Sequence, residues 1–273
     1  MQSLELLRHR TGYRSLLRAL APTVVLEARE ARRFCEQRGW SGNHVARFQA
    51  AKAAHLDLVP PDVRLADGLT VDVGANVGAW TASVLEAEPC ARVLAVEPNE
   101  EARSQLEGRF GDEPRVRIDP RAVSSVPEMV EFRLTGSTHN ASLLAPRPDM
   151  GRFYETTTGW VVEEVVQVEA TTLDALIGDE RVSLLKIDVQ GAECMVLAGA
   201  SSTLERTAAV LLEVNFIQHY EGGADFPAVH LMMQEQGFVL AAIGSPFSTG
   251  AHPALWADAC YVPSSSLDRR RFS

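Results

Sequence analysis

Apolar and polar positions along the 273-residue chain follow two different periods. Leu4 to Leu20, and again Val24 to about Arg38, show helical spacing, with a break at Gly39 and the Ser41-Gly42-Asn43 cluster. Beyond Pro60-Pro61 a short apolar run, Leu69 to Val73, ends in a glycine turn, and Ala79 to Glu88 continues with helical spacing. That succession predicts strand, turn, helix. Arg92 to Val96 predicts a second strand ending at Glu97-Pro98-Asn99, followed by a charged helix from Glu100 to Phe110 and a third strand around Val116 to Ile118. The alternation predicts an α/β fold built on a parallel sheet with right-handed crossovers.

Between about Ala122 and Thr172 the rhythm changes. Met129 to Leu134 and Glu164 to Val168 alternate like antiparallel strands around a polar loop rich in Gly, Ser, Thr and Pro, which reads as an insertion over the sheet edge or the site. Strand and helix then resume: Val182 to Val189 as strand, Ala192 to Arg206 as one helix, Ala209 to Val214 as strand and Phe226 to Gln236 as helix, stopped by Gly237. Phe238 to Ile243 and Ala257 to Val262 complete the pattern as an antiparallel pair at one edge. The chain thus divides into a helical extension over residues 1–66 (a cap, lid or oligomer contact), an α/β domain over 67–265 carrying the 122–172 insertion, and a tail over 266–273.

Charge refines this division. The net charge is −10, yet residues 1–50 hold nine Arg against four Glu, or +5, which leaves −15 for the rest. An acidic domain argues against nucleic acid as the main partner, because phosphate binding requires a concentrated basic surface. No apolar run reaches the roughly 18 residues that span a bilayer, and no apolar core with a cleavage site follows a basic start, so a cytoplasmic protein is expected. Cys35, Cys90, Cys194 and Cys260 are scattered, without the spacing of a zinc site.

The strongest chemical signal is TVDVGANVG. Gly74, Asn76 and Gly78 open a helix directly after a buried strand, where glycine lets the backbone turn tightly and approach a ligand and the helix start offers free N–H groups. A dinucleotide fold usually shows Gly-x-Gly-x-x-Gly, whereas the spacing here is Gly-x-Asn-x-Gly. Asp72, just before the turn, suits a ligand with an ammonium group and repels a pyrophosphate, which favours the amino-acid end of S-adenosylmethionine. Glu97, at the end of the second strand, is placed to accept hydrogen bonds from a ribose diol. In LLKIDVQGAECMVLAGA, Asp188 ends a buried strand beside the expected crevice, Glu193 serves equally well as site residue or helix cap, and Lys186 reads as the partner of a carboxylate.

Taken together, DVGANVG at 72–78, VEPN at 96–99, Asn140-Ala141-Ser142, TTLDAL at 171–176, LLKIDVQGAE at 184–193, VLAGA at 196–200 and LLEVN at 211–215 resemble the FkbM family of methyltransferases, from about Leu69 to Val262. The resemblance implies a class I methyltransferase, Rossmann-like seven-stranded sheet, mostly parallel, with S-adenosylmethionine as donor and a hydroxyl of a natural product, sugar or glycan as acceptor. It implies that Asp72, Gly74, Asn76 and Gly78 hold the methionine moiety, Glu97 the ribose, with Asn99 in the same cofactor set, and Arg121-Ala122 the adenine. Many relatives carry Glu where this chain has Gln190.

An alcohol acceptor must lose a proton, so a base or an acidifying metal would assist. Asp188 is the first candidate base, with His139 from the insertion and His219 from a loop as the others. Asp188 with Glu213 or Asn215 forms a candidate oxygen-ligand set for one Mg²⁺. Phe153, Tyr154, Trp160, Phe247 and Trp256 are candidate pocket walls that read equally as packing. Two rival readings stand beside this one. In an NAD-dependent dehydrogenase, Asn76 would replace the expected middle glycine; in a non-catalytic cofactor-binding scaffold, the N-terminal helices would hold a partner protein. Under any of these readings the same helices are a candidate homo-oligomer contact.

Overall fold

The computed structural model describes residues 29–154, 158–249 and 253–266. Its strands are β1 (Leu69–Val73), β2 (Arg92–Val96), β3 (Val116–Asp119), β4 (Ala122–Val123), β5 (Glu128–Thr135), β6 (Val162–Thr171), β7 (Val182–Ile187), β8 (Val210–Asn215), β9 (Phe238–Ile243) and β10 (Trp256–Pro263). The helices are α1 (residues 29–37), α2 (His44–Ala53), α3 (Ala79–Ala87), α4 (Glu100–Phe110), α5 (Leu173–Ile177), α6 (Glu193–Ala198), α7 (Ser201–Leu204) and α8 (Phe226–Glu235).

Seven strands form the main sheet in the order β3-β2-β1-β7-β8-β10-β9. β1 and β7 are buried at every position, as central strands covered on both faces must be, and pair in parallel. β10 runs antiparallel to both β8 and β9, which gives the expected edge pair. From β1 the chain winds outward through β2 and β3, then returns to β7 beside β1 and winds the other way. The reversal opens a crevice at the carboxyl ends of β1 and β7, where ligands of open α/β sheets sit.

Helices α5 to α8 cover one face of the sheet, packing Leu173, Val196, Leu204 and Met233 over Val71 and Leu185. The other face is covered by α2 and α3, which pack Ala51, Ala54, Trp80 and Val84 over Val93 and Leu211. The described part of the helical extension is thus built into the core. Arg38 clamps it: the buried guanidinium donates to the carbonyls of Leu56 and Val59 at 2.9 and 2.6 Å and lies 3.7 Å from the centre of the Phe34 ring. Arg38→Ala leaves two carbonyls without their donor and is expected to lower stability by about 2 kcal/mol in urea unfolding; an unchanged midpoint would show that the clamp contributes nothing.

Besides the short helix α5, three elements depart from the sequence pattern. The helix expected over Ala192 to Arg206 is two helices, α6 and α7, split at Gly199-Ala200. A Cβ on Gly199 would stand 2.4 Å from the Ser124 carbonyl oxygen, so the chain bends where β4 approaches. Helix α2 and the two-residue strand β4 were not expected, whereas the antiparallel hairpin of the insertion forms from β5 and β6, with β4 parallel to β6. The helix expected over Leu4 to Leu20 lies outside the described residues, as does the tail from residue 267. Among the described residues no helix is long and apolar enough to cross a membrane.

Candidate active site

The glycine turn after β1 is held from both sides. Val96 of β2 accepts the N–H groups of Gly74 and Ala75, each at 3.0 Å, and Val73 accepts that of Asp188 at 3.0 Å. Gly74, Asn76 and Gly78 all have positive φ, at +82°, +49° and +76°. Glu97, just beyond β2, braces the turn: one carboxylate oxygen accepts from the Asn76 N–H at 2.7 Å and the other from the Asn99 N–H at 2.8 Å. Burial pushes its pKa up to about 7 against these hydrogen bonds.

A cavity of about 420 Å³ lies over these strand ends. Gly74, Asn76, Glu97 and Ala122 line one part of it, and Lys186, Asp188 and Glu213 also face it. A further part is walled by Tyr154, Trp160, His219, Phe247 and Trp256. Trp160 stacks on His219 and Phe247 on Trp256, with ring centres 5.7 and 5.1 Å apart. Tyr154 and Trp160 come from the insertion, while Phe247 and Trp256 come from the loop and strand of the last hairpin. The insertion also brings His139, exposed in a short 3₁₀ turn, to the cavity lining. Ser142 docks the insertion by donating to the Gln190 carbonyl at 2.8 Å.

The candidate bases differ in environment. Asp188 sits beside the Lys186 ammonium at 3.2 Å and accepts from the Gln190 amide at 2.8 Å. Burial raises its pKa, but Lys186 and these hydrogen bonds outweigh burial and hold it below the usual range. His219 is buried rather than solvated, although it lies on a loop. Its Nδ1 meets the Asn215 carboxamide oxygen and its Nε2 lies 3.0 Å from the Tyr154 hydroxyl. Burial, with Arg147 nearby, lowers its pKa to about 4 and keeps it neutral. Burial and the neighbouring carboxylates Asp188, Glu193 and Asp258 push Glu213 well above the usual carboxylate range.

Several expected ligand residues do other work. Asp72 is fully buried and is not part of the cavity lining: Thr81 donates to one oxygen at 2.7 Å, and Lys186 lies 3.5 Å from the other. Asn99 caps α4 by accepting from the Glu101 N–H at 3.0 Å, and Arg121 folds back onto Asp119 at 2.8 Å, leaving Ala122 and Val123 to line the cavity. Gly78 turns away from the cavity toward α4, where a Cβ would stand 2.5 Å from Leu106. Nothing in the structure supports the candidate Mg²⁺ set of Asp188, Glu213 and Asn215. Asn215 spends its oxygen on His219, Asp188 is taken up by Lys186, and no group of three or more His, Cys, Asp or Glu among the described residues is placed to hold a metal. Glu193 braces a turn, accepting from the Val189 and Gly191 N–H groups at 3.3 and 3.1 Å. Nothing in the sequence singles out Trp80 and Thr81 on α3 or Phe132 on β5; their local patterns mark them as core and do not reveal that Trp80 and Phe132 line the cavity or that Thr81 holds Asp72.

A mostly parallel seven-stranded sheet whose winding order reverses between β1 and β7, with a glycine turn and an acidic strand end at the reversal, is a Rossmann-like α/β domain. Residues 72–240 match the family model described as the methyltransferase FkbM domain, and the chain belongs to that family. The 2-O-methyltransferase NoeI of Sinorhizobium fredii is 26% identical over 174 residues, covering 60% of this chain and 70% of that protein. The AMB antimetabolite synthetase AmbE of Pseudomonas aeruginosa is 29% identical over 188 residues, which cover 58% of this chain but only 9% of the synthetase. Among solved structures, a methyltransferase FkbM from Methylobacillus flagellatus KT aligns with a TM-score of 0.46 at 16% identity, over 71% of this chain and 43% of that one.

Proposed function

We propose that the chain transfers the methyl group of S-adenosylmethionine to a hydroxyl oxygen of a small molecule such as a natural product, sugar or glycan. The observation that carries this reading is the single cavity that joins the glycine turn and Glu97 to an aromatic wall across Asp188. From β2 to β10 the strand ends are four inter-strand steps apart, about 19 Å, enough for a nucleoside, a methionine arm and an acceptor end to end. The residues present fit the donor. Asn76 lines the cavity with a buried carboxamide oxygen that has no partner, Glu97 offers a buried carboxylate, and Ala122, Val123 and Pro98 give an apolar bed for a base. The similarity to NoeI, a 2-O-methyltransferase by name, supports oxygen as the atom methylated.

The donor, when bound, supplies a methyl group on a sulfonium. The chain's task is to hold the acceptor oxygen in line with it, and positioning of this kind lowers barriers by about 7–11 kcal/mol. The hydroxyl proton becomes steeply more acidic as the C–O bond forms, so the ionised Asp188 carboxylate can accept it although its pKa is low. His219, held neutral, donates from Nδ1 to Asn215 and accepts the Tyr154 hydroxyl at Nε2, so a proton can reach it through that hydroxyl on the aromatic wall.

Calorimetry with S-adenosylmethionine, S-adenosylhomocysteine and NAD tests the reading. The first two ligands are expected to bind and NAD not. Glu97→Ala is expected to weaken both by about 100-fold or more, because it removes the ribose acceptor and releases the N–H groups of Asn76 and Asn99. Preference for NAD would replace the proposal with a dehydrogenase. Donor binding without transfer to any of a panel of glycosides and phenols would favour the non-catalytic scaffold.

A further inference from the structure

The face of the sheet that packs under α2 and α3 carries a row of ionisable side chains: Asp72 on β1, Lys186 on β7, Glu213 on β8 and Asp258 on β10. Asp72 and Lys186 are direct partners in the β1–β7 register. The Lys186 ammonium, on a residue 8% exposed, lies 3.5 Å from Asp72 Oδ1, 3.2 Å from Asp188 Oδ2 and 5.7 Å from the centre of the Trp80 ring. Asp72 Oδ1 has no hydrogen bond, so Lys186 is what that buried oxygen faces. Further along the row, Asp258 pairs with His55 at 3.4 Å.

We infer that Lys186 is the positioning residue of the donor site: its ammonium lets Asp72, buried beneath the cavity, and Asp188, on its lining, stay ionised side by side, so that the three groups together leave one net negative charge under a cationic methyl donor. The inference rests on the S-adenosylmethionine reading above. The physical argument is one of charge balance. Burial favours protonation of Asp72, and Lys186 and Thr81 oppose it. A fully buried carboxylate and a part-buried one on either side of one ammonium resist ionising together once that ammonium is removed, and the buried one then tends to hold a proton. A sulfonium ligand would then have to displace that proton. Lys186 opposes the hold of a proton at Asp72 that burial favours, and the ammonium, already matched by two carboxylates, does not repel the donor.

The test is calorimetry of S-adenosylmethionine and S-adenosylhomocysteine with the wild type, Lys186→Met and Lys186→Arg, in two buffers of different ionisation enthalpy and from pH 6 to 8. Glu213, Asp258 and Glu193 also face the cluster, and Glu97, His139 and His55 border it; all are retained in every variant, so differences between variants report on the position-186 charge. Lys186→Met is expected to release up to one more proton per S-adenosylmethionine bound than the wild type. Its affinity should fall by up to about tenfold more per pH unit on acidification. The effect should be smaller for S-adenosylhomocysteine, which lacks the sulfonium charge, and Lys186→Arg should restore wild-type behaviour. If Lys186→Met does not fold, Lys186→Gln, which keeps hydrogen bonding without charge, serves in the same comparison. A charge-free variant with wild-type proton release and pH dependence overturns the inference. So does a loss of binding that Lys186→Arg fails to restore, which marks a packing role. Failure of the wild type itself to bind S-adenosylmethionine overturns the donor reading and this inference with it, and is recognised because it precedes any substitution.

Discussion

Replacing Gly74 with alanine is expected to destabilise the protein by about 4 kcal/mol or more and to abolish S-adenosylmethionine binding. Gly74 has φ of +82°, and a Cβ built there would stand 1.9 Å from the Asp188 carbonyl oxygen. That obstacle is backbone and cannot swing aside. The turn cannot retreat either, since the N–H groups of Gly74 and Ala75 are tied to Val96 on one side and Asp188 is tied to Val73 on the other. The methyl group would therefore have to part β1 from β7 at the point where the cavity opens. Gly178 is the control, with φ of +61°, ψ of −131° and nothing within 4 Å of an added Cβ, so Gly178→Ala is expected to cost only the backbone strain, about 1–3 kcal/mol. Urea unfolding of the two variants separates strain from collision. A Gly74→Ala protein as stable as Gly178→Ala, with donor binding intact, would mean that the close approach of the two strand ends does not constrain the site.

Gly74 was legible in the sequence for the reason that makes it sensitive: positive φ combined with close approach admits glycine alone, and the position follows an apolar run too short to be a helix. Asp188 and Glu97 were legible because strands ending in an acidic residue place that residue at the mouth of an open sheet. Asp72 looked equally exposed to a ligand. What answers its charge is Lys186, and that pairing depends on the register of two parallel strands joined by a long crossover, which no local pattern encodes. Asn99 and Arg121 differ for a nearer reason, since each makes a local contact, a helix cap and an i, i+2 ion pair, that engages its side chain in the structure. The aromatic wall was visible only as a list of residues. Tyr154 and Trp160 meet Phe247 and Trp256 because the insertion folds back over the last hairpin, and the same packing buries His219 on its loop. Gly199 misled for the opposite reason to Gly74, because its cause, the approach of β4, lies far away in the chain.

Glu193→Gln is expected to change the pH dependence of stability by about 3 kcal/mol between pH 4.5 and pH 8. Glu193 is 1% exposed; one oxygen accepts the N–H groups of Val189 and Gly191, and the other has no partner. Burial pushes its pKa up to about 7, with Asp188 adding to the rise and the turn N–H groups opposing it. Between the ordinary value of 4.5 and about 7, the folded protein binds more protons at this position than the unfolded chain. Its contribution to stability is therefore complete below pH 4.5 and is lost as pH rises through about 7. Glu97 behaves in the same sense over the same window, and Asp72, Glu213 and Asp258, all raised by burial, add to it. His219 works against them. With a pKa lowered to about 4 it binds fewer protons folded than unfolded up to its ordinary 6.5, so its contribution grows as pH rises across that range. The wild-type curve is the difference of these contributions, and only the comparison with a variant isolates one of them. Glutamine keeps an oxygen for the two turn N–H groups and has no charge to bury, so Glu193→Gln should gain on the wild type steadily from pH 4.5 to 8 in urea unfolding. Parallel curves would show that Glu193 ionises as freely in the fold as in water, and that the unpartnered oxygen beneath the site is solvated.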